Sequence, residues 1–309
     1  MLSKALIQLC WVQPMKKRDN AFTPFNILKN IWLALKYFLE ENGMDKSSIL
    51  AYYSIFSSFF LLIFFSFLFN KFVGDPGSAV KSMYPFSPEF IQKTAPIFFQ
   101  KASELTAQVK DLGLIGLGIF LFVGITVFKK MIHYINDMFF IKIKHGILFR
   151  RIKEFGLLVI VGILIVFSFL LTGLISAIKT LAEESLFFKN RINPAFVQSL
   201  DTYLIKFVFP FLVTFLFFFI IFKWIPEKKV KTGAAFIAAI FSALLWALLK
   251  RAYTYYLIHV SVLRKIESPI VAIILFGFWM ELTMGIMLYG AKFTFLLDKE
   301  ENGKLKKNY

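Results

Sequence analysis

"TGAAFIAAIFSALLWALLKRAYTYYL", residues 232–257, contains no acidic residue and runs apolar from Gly233 to Leu249 before meeting Lys250 and Arg251 side by side. About 18 apolar residues are enough for a helix to cross a bilayer. Comparable stretches lie at roughly 49–70, 112–130, 155–178, 203–223 and 268–296, with this one spanning about 232–258. The 309 residues are 58% hydrophobic with mean hydropathy +0.68. Soluble domains run at about 45–50% apolar. The sequence therefore predicts an all-α polytopic membrane bundle of six transmembrane helices. It forms a single domain over residues 23–297, between a tail at 1–22 and a tail at 298–309.

Ahead of the first span, "TPFNILKNIWLALKYFLEE" (23–41) reads as an amphipathic helix. Thr23 suits the cap, Pro24 the first helical position, and Gly43 the stop. Phe25, Leu28, Ile31, Trp32, Leu35 and Leu39 fall on one stripe, with Asn26, Lys29, Asn30 and Lys36 opposite. Such a helix lies in the membrane interface. The run "ALIQLCWV" near the start is too short to span and shows no evident cleavage site. Met15, followed by "KKR", is an alternative start. Cys10 is the single cysteine, which leaves no internal disulfide and no cysteine metal cluster.

Net charge is +17. A nucleic-acid partner and a topology signal are the two readings of such an excess, and the distribution favours topology. The segments 1–48, 129–154, 223–231 and 292–309 hold 23 Lys/Arg, against 10 in the alternating segments 71–111, 179–203 and 259–267. Positive charge collects on the cytoplasmic side. Both termini are expected there, and no nucleic acid is expected as a partner.

Lys250 stands 18 residues beyond Thr232, about 27 Å along a helix, near the far boundary of a core about 30 Å thick. It either snorkels to the headgroups or points into the bundle. Ala235, Ala239, Ala243, Ala247 and Arg251 repeat every four residues, the spacing of a close helix–helix contact. Trp246 and Tyr253 share a face with Lys250 and suit cation–π contact. Glu281, between Gly277 and Gly285, is the candidate partner for Lys250. His133 and Asp137 lie four apart on one helical face, with Asn136 beside them. They form either a proton-responsive pair or a solvated boundary pair. No HExxH, cysteine pair, GxSxG or GxxxxGK[ST] occurs. No cofactor, metal site or enzymatic activity is expected.

"LAYYSIFSSFFLL" (50–62), "INDMFF" (135–140), "WIPEKKVKTGAAFIAAIFSALLWALLKRAYTYYL" (224–257) and "FGFWMELTMGIMLYGAKFT" (276–294) resemble the motifs of the YihY/BrkB family. The resemblance covers about residues 25–297. Tyr52, Tyr53, Ser57, Asn136, Pro226, Trp246, Lys250, Trp279 and Gly290 match it position by position. Phe60, Ala247, Glu281 and Lys292 depart from it. Phe60 stands in place of a proline, Ala247 and Lys292 in place of glutamates, and Glu281 where an uncharged residue is usual. The resemblance implies a six-span protein of the bacterial inner membrane, linked to serum resistance or envelope lipid export. It also carries a ribonuclease label that the residues here do not support. The expectation is a transporter or flippase-like envelope factor for an anionic small molecule or lipid headgroup. Its candidate binding residues are Lys250, Arg251, Glu281, Tyr53, Asn136 and Trp246, with membrane lipids as partners. The rival expectation is a structural, scaffolding membrane protein.

Overall fold

The computed structural model describes residues 24–73, 113–141, 151–164, 208–259 and 269–305. Among the described residues there are seven helices and no strand. They are α1 (Pro24–Glu40), α2 (Gly43–Val73), α3 (Gly113–Met138), α4 (151–164), α5 (Phe209–Trp224), α6 (Thr232–His259) and α7 (Pro269–Leu305). Residues 1–23 and 306–309, and most of the expected connections 71–111, 179–203 and 259–267, lie outside the described residues. So does the greater part of the expected third span.

Two helices, α6 over Thr232–Tyr256 and α7 over Ile274–Lys299, are long and apolar enough to cross a bilayer. At 1.5 Å per residue each runs well over 30 Å. The last helix runs past the span expected at 268–296. It continues to Leu305 and carries Asp298 and Lys299 beyond the apolar part.

α7 is the hub of the bundle. It packs against α1, α2, α3, α5 and α6, while α2 also pairs with α3 and α5 with α6. Its last turns before Asp298 are buried almost without interruption, from Ile286 to Thr294. Gly290 is what allows α6 and α5 to come so close. A Cβ there would run into Ser242 Oγ and the Phe222 ring. The expected alanine stripe on α6 is real over its first half, where Ala235, Ala239 and Ala243 are fully buried. The expectation that it extends to Arg251 is not met, for Ala247 and Arg251 are exposed. Close packing holds where small residues of α6 meet Gly290 and the α5 rings. Beyond it, the α6–α7 contact passes to Trp246, Trp279 and Tyr253, bulkier groups on a different face.

α1 turns its two asparagines inward, while Lys29 and Lys36, expected on the same face, are exposed. Asn26, Asn30, Ala34 and Phe38 are buried, a clean i, i+4 series. The apolar residues face out, with Phe25 72% and Trp32 68% exposed. Leu28, Leu35 and Leu39 are exposed with them. A helix on a water-soluble protein shows the opposite arrangement. The docking is fixed by Tyr289 Oη, which donates to Ile31 O at 2.9 Å across 258 residues of sequence. The α1–α2 turn places Asn42 in the left-handed region, φ 55°, a conformation asparagine tolerates. Gly43, expected as the stop, instead opens α2.

Candidate functional site

Four segments meet beside the C-terminal half of α7: the α1–α2 turn, the end of α3, the α5–α6 connection and α7 itself. The end of α3 shapes the place. Phe140 N donates to Asp137 O at 2.9 Å and Ile141 N to Asn136 O at 3.0 Å, the two bonds of a Schellman stop. Glycine usually takes the left-handed position of that motif. Here Phe140 takes it, φ 56°, which for an aromatic residue is strained.

The strain positions a ring. Lys292, with 0% exposure, sets its ammonium 3.6 Å from the centroid of Phe140. The same ammonium donates to Glu41 Oε1 at 2.5 Å and to Met138 O at 3.0 Å. Tyr37 and Phe295 complete the aromatic cage at 5.8 and 5.2 Å. Next to it Lys46 pairs with Asp137. Burial raises the Glu41 carboxyl above its ordinary 4.5, with Lys292 pulling the other way. This clasp joins helices from both ends of the sequence.

A second set of bonds ties in the α5–α6 connection. Asn136, fully buried, donates to Ile132 O at 2.9 Å and accepts from Glu227 N at 2.8 Å. Asp298, also fully buried, accepts from Lys231 N at 2.9 Å and pairs with Lys228 Nζ at 2.7 Å. Lys153 of α4 donates to Ile225 O at 2.9 Å. Burial lowers the Lys153 pKa from its ordinary 10.5, with Glu227 opposing.

The opposite part of α6 and α7 holds the residues singled out by sequence. Trp246 and Trp279 meet edge-on at 5.9 Å, and Trp279 meets Tyr253 at 5.1 Å. Tyr253 Oη donates to Leu275 O at 2.6 Å. Lys250 lies half-buried with its ammonium 5.8 Å from the Trp246 ring, the flanking expected from spacing. Arg251 is exposed beside it. The expected Lys250–Glu281 pair is not what holds Glu281, whose Oε1 accepts from Ser48 Oγ at 2.5 Å. α2 lies against that face of α7 and reaches Glu281 first, with Gly277 beside Ile55 and Gly285 beside Ser47.

The candidates thus divide among separate places. Lys250, Arg251 and Trp246 share the aromatic cluster, and Glu281 the α2–α7 seam. Tyr53 lies under Lys130 at 5.0 Å on α2–α3. Asn136 belongs to the clasp. His133 and Asp137 are both exposed, as the solvated of the two readings has it. His133 is exposed against Tyr134, and Asp137 turns to Lys46. Among the described residues no group of three or more His, Cys, Asp or Glu is placed to hold a metal ion. Sequence reasoning missed the clasp's Glu41, Lys46 and Asp298. The one signal for it was Lys292, a charge set directly after Gly-Ala in an apolar run.

An all-helical chain with two membrane-length helices, an amphipathic helix turned apolar side out and ionic groups buried against its hub is a membrane protein by class. The comparisons agree and give the family. The profile of the virulence factor BrkB family matches residues 34–308, and the chain belongs to that family. It is similar to a UPF0761 membrane protein of Pseudoalteromonas atlantica, 24% identical over 267 residues, 84% of this chain and 83% of the relative. It is also similar to UPF0761 membrane proteins of Pelodictyon phaeoclathratiforme, 35% over 98 residues, and Prosthecochloris aestuarii, 36% over 88. Those two matches cover 32% and 28% of this chain but only 23% and 21% of the relatives. No solved structure matches.

Proposed function

We propose that the chain is a transporter or flippase-like envelope factor that takes an anionic group, such as a lipid phosphate, at Lys250 and Arg251. The observation that carries this is the placement of Lys250. Two adjacent cations stand inside the membrane-length apolar stretch Thr232–Tyr256, and Lys250 is held against Trp246 above a buried Trp279–Tyr253 cluster. Ionic groups within a membrane segment cost several kcal/mol and mark sites of ligand passage more often than packing. An aromatic wall of this kind orients an ammonium, as a site for an anion requires.

On this reading six spans cross the bacterial inner membrane, and both ends of the chain lie in the cytoplasm. α1 rests in the headgroup–acyl boundary, its exposed Phe25, Leu28 and Trp32 in lipid and its buried asparagines on the protein. Transport draws on a gradient or runs passively. The chain is not an enzyme and takes no nucleic acid: Asp137 and Glu281 are engaged apart, with Lys46 and Ser48, and cannot share metals as a hydrolytic nuclease needs. The scaffolding alternative draws on the Gly290–Ser242–Phe222 packing, which favours a rigid bundle.

Reconstituted vesicles carrying fluorescent phospholipid decide between these. Lys250→Gln with Arg251→Gln should reduce lipid movement at least tenfold, about 1.4 kcal/mol in barrier, in protein that still inserts and melts as wild type. Equal movement in both proteins rules out Lys250 and Arg251 as the site, and no movement in wild type favours the scaffold.

A further inference from the structure

We infer that the outer groove between α2 and α3 holds an anionic phospholipid, its phosphate accepting from Lys130 Nζ and Tyr53 Oη and its acyl chains lying over the exposed rings of Phe56 and Phe122. Three contacts set the register of the two helices. Lys46 pairs with Asp137, the Lys130 ammonium covers the Tyr53 ring at 5.0 Å, and Ser57 Oγ donates to Val123 O at 3.4 Å. α2 and α3 therefore run antiparallel. Lys46 and Tyr53 stand seven residues apart on one helix, and Lys130 and Asp137 seven apart on the other. Seven residues are two turns, about 10 Å along each axis. The Lys130–Tyr53 contact is thus a second storey on the same seam, two turns farther from the α1–α2 turn than the Lys46–Asp137 pair.

The two storeys differ in how their charge is met. Asp137 answers Lys46 at the helix ends. Lys130 has an aromatic face instead, and among the described residues no acid pairs with it and no oxygen accepts from it. Nor does a described group accept from the Tyr53 hydroxyl, whose ring meets Tyr52. Both residues are half-buried, at the rim of the seam, and Lys129 beside them is exposed. The acids of these two helices among the described residues, Asp45 and Asp137, stand at the first storey. A ring face attracts an ammonium without balancing its charge, and a cation along a membrane helix calls for a counter-charge. A phosphate seated between Lys130 Nζ and Tyr53 Oη supplies it and accepts from both.

A free phosphate and a lipid headgroup share that chemistry, and the surroundings select the lipid. Phe56 and Phe122 are exposed. They lie three residues beyond Tyr53 and eight beyond Lys130, about 4.5 and 12 Å farther from the Lys46–Asp137 end. The groove is charged at one level and apolar beyond it, which is the profile of a phospholipid. Its charged level is close to α1, whose outward Phe25 and Trp32 suit the headgroup–acyl boundary. The site depends on the membrane location of the chain and not on transport at Lys250, which lies toward the other end of the bundle.

Photoaffinity labelling tests it. The full chain is placed in phosphatidylcholine vesicles containing phosphatidylglycerol with a diazirine midway along one acyl chain. Light expels nitrogen from the diazirine, and the carbene inserts into a neighbouring C–H bond. Peptide mass mapping should concentrate the adducts on the peptides carrying Phe56 and Phe122. Lys130→Gln should cut that labelling about tenfold, as expected for one charge-assisted hydrogen bond, and Lys130→Arg should keep it. Lys36→Gln, which removes an exposed cation of α1 outside the groove, should also keep it. Should Lys130→Gln fail to fold, Tyr53→Phe carries the same comparison with the ring and its packing retained, and should lower labelling severalfold. Unlabelled phosphatidylglycerol should compete, glycerol phosphate should not, and a diazirine phosphatidylcholine should label the same peptides weakly. Adducts spread evenly over the exposed helices, or labelling unchanged in Lys130→Gln and Tyr53→Phe, would overturn the proposal. So would equal labelling by the phosphatidylcholine probe, or displacement by glycerol phosphate, which would give the site to a soluble phosphate.

Discussion

Lys292→Met deletes a buried charge while keeping an unbranched apolar stem of similar reach. The change strips a partner from Glu41 Oε1, from Met138 O and from the Phe140 ring. The Glu41 carboxyl is already raised above 4.5 by burial, with Lys292 as the largest opposing influence. Once that influence is gone, burial raises the carboxyl further, and its charged form is left without its cation. The orphaned carbonyl of Met138 adds about 1–3 kcal/mol. Removing one partner of a buried pair typically costs about 3–5 kcal/mol, and a loss of that order is expected at pH 7. The sign with pH follows from the direction of the shift. A carboxyl raised in the folded state has its full stability below the unfolded value and loses it as pH rises through the folded value. Because the carboxyl is raised further in the variant than in wild type, the variant's deficit should shrink as pH falls from 7 to 5. Denaturant unfolding in mild detergent, followed by tryptophan fluorescence at both pH values, measures it. Adding Glu41→Gln should recover most of the loss at pH 7. A variant within about 1 kcal/mol of wild type at pH 7, or a deficit that is the same at both pH values, refutes the reasoning.

Asn136→Ala leaves the buried Glu227 N–H without its acceptor and should lower stability by about 1–3 kcal/mol in the same unfolding assay, with earlier proteolysis of the α5–α6 connection. Gly290→Ala forces a methyl group toward Ser242 Oγ and the Phe222 ring, all of it buried. It should cost about 1–3 kcal/mol, part of which Ser242→Gly should restore. Reporter fusions after Asn70 and Leu186 should read external, and those after Lys144 and Lys229 cytoplasmic, if the 23-to-10 charge asymmetry sets topology. A cytoplasmic signal after Leu186 would break the six-span arrangement.

Sequence made the helices legible wherever a periodic pattern reported a single environment. The α1 stripe was readable because it repeats every three to four residues, and α6 and α7 because their apolar runs match the thickness of a bilayer. The bland half of the alanine stripe, Ala235 to Ala243, was readable for the same reason. What the pattern could not report is where a neighbour stops. Ala247 and Arg251 continue the period past the close contact that gives it meaning. The clasp was illegible because its members are single residues drawn from distant segments. Glu41 and Lys46 look like ordinary charges on either side of a turn, and Phe140 in a left-handed stop breaks the expectation that glycine marks such a place. Glu281 was found by its depth. Its partner was not, because Ser48 is one of two adjacent serines with nothing to distinguish it.

The Lys292–Glu41 bond spans 251 residues, and this separation has a bearing on biosynthesis. Ribosomes add roughly 5–20 residues per second, so α1 leaves the ribosome about 13–50 s before α7 can receive it. Through that interval α1 lacks α7, the helix it packs against most, while the outward stripe of Phe25, Leu28 and Trp32 needs no protein partner. The nascent α1 would wait on the bilayer surface with its future inner side hydrated, and would roll that side inward only when the last helix arrives. Assembly of this chain is thus timed by its own C-terminal helix, and a ribosome stalled before Lys292 would leave α1 parked on the lipid.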